Sequence, residues 1–398
     1  DTPNFVANRL LTFAMQYTMH EMGKDGLSFE EVDALTGPAI GHASSATFRT
    51  ADLVGLDTLN LVVGNVRNGC PDDERVDLMQ GPAWFDKMVE KGLLGNKSGS
   101  GFYKKTKERD EKGKSIILGL DPETLEYRPP IKARFECTGA VRNVETIEEK
   151  LKIMNLGDDK GAQFVFKQFA NLAQYAGNRI PEIADDIVNI DNAVKWGFAW
   201  EVGIFETWDI LGFDTVCEKM ATIGVELPPI AKAVKDAGFN SFYRVENGVD
   251  EYFDLGSKSY KEVPKNPREI SLANIKTDST KVVATNDSAS LIDMGDGIIC
   301  CEFHCKMNAI DPDLTAMINK GVDLLEADEF DGMIIANQGP HFCAGANIFL
   351  ILGEIMQQNW EGVEKAVRGL QGTLLRMKYC SKPVVAAPHH YTFGGGVE

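Results

Sequence analysis

The chain has 398 residues, 43% of them hydrophobic and 25% charged, which is the composition of ordinary globular protein and suggests two or three domains. Its formal net charge of −18 argues against a nucleic-acid partner or an anionic membrane surface. No apolar run approaches the roughly 20 residues needed to span a bilayer.

Val6, Leu10, Phe13, Ala14 and Tyr17 repeat at helical spacing, so the chain is expected to begin with an amphipathic helix opening after Pro3 and broken at 23–26. Asn8 and Arg9 lie near its start. Ser28 with Glu31 fits a capping box for a second helix through Leu35, ended by Gly37-Pro38. Further helical sequence begins at 50–58 and at 82–94, and 95–103 is a glycine-rich turn ending in Phe102-Tyr103.

The pattern then recurs. Val165, Phe169, Leu172, Ala173 and Ala176 repeat the first helix spacing, Thr207-Trp208-Asp209 repeats Thr50-Ala51-Asp52, and Phe242-Tyr243 repeats Phe102-Tyr103. A period of 157 residues, from Thr50 to Thr207, is too long for a solenoid unit and implies a duplicated helical domain. The charged stretch 106–160 between the copies reads as an ordered connector, with an extended piece at 126–130 and a helix within 144–154. The polar stretch 257–287 reads as a linker between domains.

From Ser288 the pattern changes to strands at 291–292 and 298–303, a helix at 314–327 and a strand at Met333. Alternating strands and helices imply an α/β unit. The most informative stretch is 332–349, GMIIANQGPHFCAGANIF, a buried strand that breaks and turns through Cys343-Ala344-Gly345-Ala346 into a helix. A second such turn follows the strand-like KPVVAA at 382–387, in Phe393-Gly394-Gly395-Gly396-Val397-Glu398. Backbone N–H groups at helix starts lack internal partners. Two of them can share one developing oxyanion, with the Glu398 carboxylate as acid/base.

Eight cysteines form no CxxC pair. Cys300, Cys301 and Cys305 are read as buried, reduced thiols of a cytoplasmic protein, since adjacent strand residues face opposite sides. His389-His390 is read as a loop near the pocket rather than a metal pair.

At these residues the region 288–398 resembles the first half of a crotonase (enoyl-CoA hydratase) domain, carried by the two glycine turns, KPVVAA and KMNAI at 306–310. The resemblance implies that the N–H groups of Ala346 and Gly395 hold a thioester enolate oxygen and that Glu398 handles the water proton. DTPNFVANRLL at 1–11, TFRTADLVGLDTL at 47–59 and SGSGFYKK at 98–105 resemble the C-terminal domain of 3-hydroxyacyl-CoA dehydrogenases. The stretch from about Gly161 to Tyr243 resembles it more weakly. The order implies a bifunctional fatty-acid β-oxidation enzyme with an acyl-CoA substrate. In that family the residue matching Asn8 contacts substrate, and an amide suits this role because it does not titrate. Lys167 stands at the same place in the second copy, which is therefore expected to be structural.

The expected organisation is a mainly α-helical, duplicated dehydrogenase-C-terminal-like domain (1–105 and 161–256, joined by 106–160), a linker at 257–287, and an incomplete α/β crotonase-like domain at 288–398. No GxGxxG turn exists, so NAD is expected to be bound by a domain outside this chain, preceding Asp1, and the second hydratase Glu to lie beyond Glu398. The chain begins without a methionine and stops where a helix should begin. Both ends are therefore read as cuts in a longer polypeptide, with an intact mass near twice that of this chain. Homo-oligomerisation is expected, because in that family the helical domain also mediates dimerisation. A crotonase-type isomerase or thioesterase, or a non-catalytic helical scaffold, are the alternatives.

Overall fold

A computed structural model describes residues 2–264 and 269–398; Asp1 and 265–268, the latter within the expected linker, lie outside the described residues. The chain divides into two units, one holding the residues up to 244 with 251–263, the other 245–250 with those from 264 onward.

The first unit opens with helices α1 (Phe5–Lys24), α2 (Phe29–Leu35), α3 (Phe48–Val54), α4 (Leu56–Gly69) and α5 (Ala83–Glu90). The predicted capping box is present: the Ser28 hydroxyl accepts from the Glu31 N–H, and Glu31 accepts from the Ser28 N–H at 2.9 Å. Strands β1 (Tyr103–Arg109), β2 (Ser115–Leu120) and β3 (Tyr127–Arg128) then form a three-stranded antiparallel sheet. Two short helices follow, α6 (Glu136–Ala140) and α7 (Ile147–Leu156). The series then repeats in α8 (Lys160–Asn178), α9 (Ile187–Phe198), α10 (Ile204–Leu211), α11 (Phe213–Thr222) and α12 (Pro229–Asp236), and closes with strands β4 (Tyr243–Glu246), β5 (Val249–Asp254) and β6 (Ser259–Glu262).

The repeat extends to individual hydrogen bonds. Asp52 accepts from the N–H groups of Phe102 and Tyr103, both at 2.9 Å, and Asp209 accepts from those of Phe242 (2.9 Å) and Tyr243 (2.7 Å). A second acid does the same job nearby. Asp33 takes the Phe48 N–H (2.6 Å) and the Tyr103 hydroxyl (2.7 Å), while Asp191 takes the Phe205 N–H and the Tyr243 hydroxyl, both at 2.9 Å. Each copy also breaks its third and fourth helices at a glycine with positive φ, Gly55 at +95° and Gly212 at +93°, a conformation that side chains resist.

Regular elements occupy both stretches expected to connect domains. The connector expected at 106–160 is in its first part sheet: β1 crosses residue 105 and the sheet closes only at Arg128. Strand β1 is mostly solvent-exposed and charged, so no apolar alternation announces it, and β2, SIILGL, is apolar but short. The linker expected at 257–287 holds β6, a short helix α13 (Leu272–Ile275) and strand β7 (Val282–Thr285).

Helices α1 and α8 pack antiparallel. Arg9 at the start of one meets Tyr175 near the end of the other, Phe13 stacks on Tyr175 with ring centroids 4.1 Å apart, and Lys167 pairs with Asp25 at 2.9 Å and Glu21 at 3.3 Å.

The second unit continues with β8 (Ala289–Gly295), β9 (Ile298–Phe303), α14 (Pro312–Glu326), β10 (Gly332–Ala336), α15 (Ile348–Met356), α16 (Trp360–Lys378) and β11 (Val384–Ala386). The sheet order is β11-β10-β9-β8-β7, antiparallel from β7 to β9 and parallel from β9 to β11. Asp311 caps α14 by accepting from the Leu314 N–H at 2.8 Å, and Leu314, Ile318, Val322 and Leu325 bury one helix face against Leu291, Cys301 and Met333. Cys300 and Cys301 pack on opposite sides of β9, Cys300 with Ile292 and Leu272 and Cys301 against α14's side. Burial pushes the Cys300 thiol up to about 12, which keeps it protonated and inert.

Candidate oxyanion site

The loop from β10 to α15 is shaped by two buried asparagines. Asn337 donates to the Phe342 carbonyl at 2.8 Å and accepts from the Gly339 N–H at 3.0 Å; Asn308 donates to the His341 carbonyl at 2.9 Å. The loop ends at Gly345, whose φ of +97° suits glycine, and a Cβ there would meet the Phe393 carbonyl at 2.9 Å. The Gly345 carbonyl accepts from the Ile310 N–H, and the Asn347 N–H donates to the Ile310 carbonyl, both at 2.8 Å. In a trans peptide the C=O and N–H point opposite ways. Fixing the Gly345 oxygen on Ile310 therefore turns the Ala346 N–H away from that segment.

The loop after β11 lies alongside. Cys343 donates to the Tyr391 carbonyl at 3.2 Å, and the Phe393 N–H donates back to Cys343 at 3.0 Å. This pairing brings the turn at 394–396 beside Gly345-Ala346. A Cβ built on Gly395 would lie 3.4 Å from the Ala346 nitrogen, and one built on Gly345 would lie 3.5 Å from the Gly395 nitrogen. Among the described residues neither N–H donates a hydrogen bond, whereas the next two in the turn do: Gly396 to Phe393 at 2.8 Å and Val397 to Gly394 at 2.9 Å. Two neighbouring unpaired amides form a concave donor pair suited to an oxyanion.

Beside this pair opens a cleft of about 410 Å³ with walls that include Ile335, Phe342, Leu370 and Met377. Gly395 and Glu398 line the same cleft, and the Glu398 side chain is exposed. His389 lies in the adjoining loop, its Nε2 2.9 Å from the Gly339 carbonyl.

The remaining predicted residue, Asn8, belongs to the first unit. It is exposed on α1. Arg9, next to it, is fully buried and donates to Tyr175 at 2.7 Å and Asp73 at 2.6 Å. Tyr175 also donates to Asp73 at 2.6 Å. Burial by itself would raise the Asp73 carboxyl, but bonds from Tyr175, the Arg75 N–H and Arg9 hold it below the usual carboxylate range.

Asn308 and Asn337 were not foreseen. Asn308 acts through one carbonyl 33 residues away, and Asn337 through bonds within five residues, at which only the run of turn-formers after Ala336 hinted. NAD does not fit the residues present. The chain has no GxGxxG turn, and among the described residues the parallel strands β9 to β11 lead into the loops just described.

Residues 5–105 match the family model described as "3-hydroxyacyl-CoA dehydrogenase, C-terminal domain". Along all 398 residues the chain is 42% identical to a "Probable 3-hydroxyacyl-CoA dehydrogenase" of Bacillus subtilis and covers 49% of it. It is also similar, at 25% identity over the whole chain, to a "Putative fatty acid oxidation complex trifunctional enzyme" of Rickettsia prowazekii, of which it covers 50%. The chain thus spans about half the length of the curated relatives it matches. Among solved structures, an enoyl-CoA hydratase/carnithine racemase from Magnetospirillum magneticum aligns over 30% of this chain and 45% of its own, with 22% identity and a TM-score of 0.27. Residues 5–105 thus match the 3-hydroxyacyl-CoA dehydrogenase C-terminal domain, and the chain as a whole is similar to about half of a probable 3-hydroxyacyl-CoA dehydrogenase.

Proposed function

We propose that the chain is part of a fatty-acid β-oxidation enzyme that hydrates a trans-2-enoyl-CoA and oxidises the resulting 3-hydroxyacyl-CoA with NAD. The observation that carries the hydratase reading is the pair of unpaired amides, Ala346 and Gly395, beside an apolar cleft. As water adds to C3 of the enoyl thioester, negative charge moves onto the thioester oxygen, and the two N–H groups stabilise it there. One such donor is worth on the order of 10²-fold or more in rate. Glu398 shares the proton work, taking a proton from water or passing one to C2 with a second carboxylate outside these residues. The eight free cysteines suit a reducing, cytoplasmic setting.

The dehydrogenase reading rests on the family of residues 5–105. Asn8 would touch the substrate through its amide. No step of hydride transfer is assigned to these residues, because none of them fits the nicotinamide cofactor. A full-length protein carrying Glu398→Gln tests the hydratase reading: crotonyl-CoA hydration should drop by at least about 10²-fold. A rate equal to wild type would remove Glu398 from the chemistry. The isolated 398-residue chain should neither hydrate crotonyl-CoA nor oxidise 3-hydroxybutyryl-CoA; measurable hydration would favour an independent site.

A further inference from the structure

We propose that Cys343 is a positioning residue of the oxyanion site, a buried spacer whose side chain sets the gap between the Ala346 and Gly395 amides. The inference rests on the hydratase reading above. Cys343 is fully buried and joins both turns. Its main chain pairs with the second loop, donating to the Tyr391 carbonyl at 3.2 Å and accepting from the Phe393 N–H at 3.0 Å. That pairing fixes where the second turn starts. The side chain then reaches each turn beside its donor. Sγ accepts from the Gly345 N–H at 3.3 Å, one residue before Ala346. On its other side it packs on Gly396, one residue after Gly395. A Cβ added to Gly396 would lie 2.7 Å from the Cys343 Cβ and 2.8 Å from its Sγ, so the second turn rests directly on this side chain.

Sulfur is a weak acceptor, but here it takes the N–H that orients the first turn. The peptides on both sides of Gly345 are held, one by the sulfur through the Gly345 N–H and the other by the Ile310 N–H on the Gly345 carbonyl at 2.8 Å. Together these bonds keep Gly345 at a φ of +97° and so aim the Ala346 N–H. Burial raises the thiol above its ordinary range, which keeps the sulfur neutral. A thiolate at this place would repel the negative charge that the site gathers. Width matters as well as bonding. A narrower side chain leaves Gly396 unsupported, and the two donors then no longer meet where the oxyanion forms.

The test uses the full-length protein and crotonyl-CoA. Cys343→Ala, which removes the acceptor and empties the gap, should lower kcat on the order of 10²-fold, the scale of a small misplacement of catalytic groups. KM should stay within about twofold, because the loss falls on the transition state. Cys343→Ser keeps an acceptor in a narrower side chain and should recover at least about tenfold of that loss. Bound 2,4-hexadienoyl-CoA reads the polarising power of the site, since its absorption moves to longer wavelength as its carbonyl oxygen gains charge. The wavelength shift of the bound form should shrink from wild type to Cys343→Ser to Cys343→Ala, which a loss of folded protein alone would not produce. Far-UV circular dichroism checks folding; if Cys343→Ala does not fold, Cys343→Val replaces it with the same expectation. An unchanged kcat or an unchanged shift in the folded variant overturns the role of Cys343 alone. Wild-type protein that binds the dienoyl thioester without any shift overturns the oxyanion reading itself, and this inference with it.

Discussion

Asp191 is the sharpest test of how the helical copies are held. The side chain is 1% exposed and accepts from the Phe205 N–H at 2.9 Å, the Glu206 N–H at 3.1 Å and the Tyr243 hydroxyl at 2.9 Å. Asp191→Ala removes one acceptor and strands three donors. Each buried unpaired donor costs about 1–3 kcal/mol, so the variant should lose about 3–9 kcal/mol. Nothing nearby relieves this, because the Asp191 side chain packs directly on Gly203, where an added Cβ would sit 2.3 Å from the Asp191 Cβ. Tyr243→Phe removes one donor and should cost about 1–2 kcal/mol. The double variant should cost less than the sum by about 1 kcal/mol, since the shared bond is lost once. Urea unfolding followed through buried Trp208 reads all three values. Additive losses, or a loss under about 1 kcal/mol for Asp191→Ala, would refute the reasoning. Asp33→Ala should behave alike, because Asp33 serves the same partners in the first copy.

Burial raises all four of these acids, Asp33 and Asp52 to about 6 and Asp191 and Asp209 to about 7. The folded state then holds more protons than the unfolded chain between about pH 4 and 7, so their contribution to stability falls as pH rises through that window and is flat above it. Unfolding midpoints across pH 5–8 should show this slope, and Asp191→Asn should reduce it; an unchanged slope would count against the assignment. Asp73→Ala leaves the buried Arg9 charge only the longer contact to half-exposed Glu182 at 3.3 Å and should cost about 3–5 kcal/mol, measured by the same unfolding assay; a loss near zero would mean that Glu182 compensates. Gly345→Ala puts a Cβ against the Phe393 carbonyl at positive φ, so full-length protein should keep its fold and lose hydratase activity. Wild-type turnover would show that the loop tolerates the shift.

Much of the helical unit was legible because its burial has a period. The stripe from Val6 to Tyr17, the Ser28–Glu31 cap and the Thr50/Thr207 repeat all rest on local spacing. The Asp33/Asp191 pair was not legible. Their separation is 158 residues against 157 for Asp52 and Asp209, and their weight comes from backbone donors far along the chain. The β1–β2 hairpin was missed because the charged, exposed β1 carries no apolar alternation and leaves the short apolar β2 without an evident partner. At the cleft, glycine turns and a buried strand were visible as types of residue. The side-chain bonds of Asn308 and Asn337 that set the loop's path were not, because Asn308 meets a carbonyl 33 residues away and the short Asn337 turn leaves no periodic trace.

The central claim concerns where a thioester oxygen sits. A structure of the full-length protein with acetoacetyl-CoA bound should place that oxygen within about 3.2 Å of the backbone nitrogens of both Ala346 and Gly395. An oxygen held elsewhere, or either amide hydrogen-bonded instead to the protein's own carbonyls, would contradict the account.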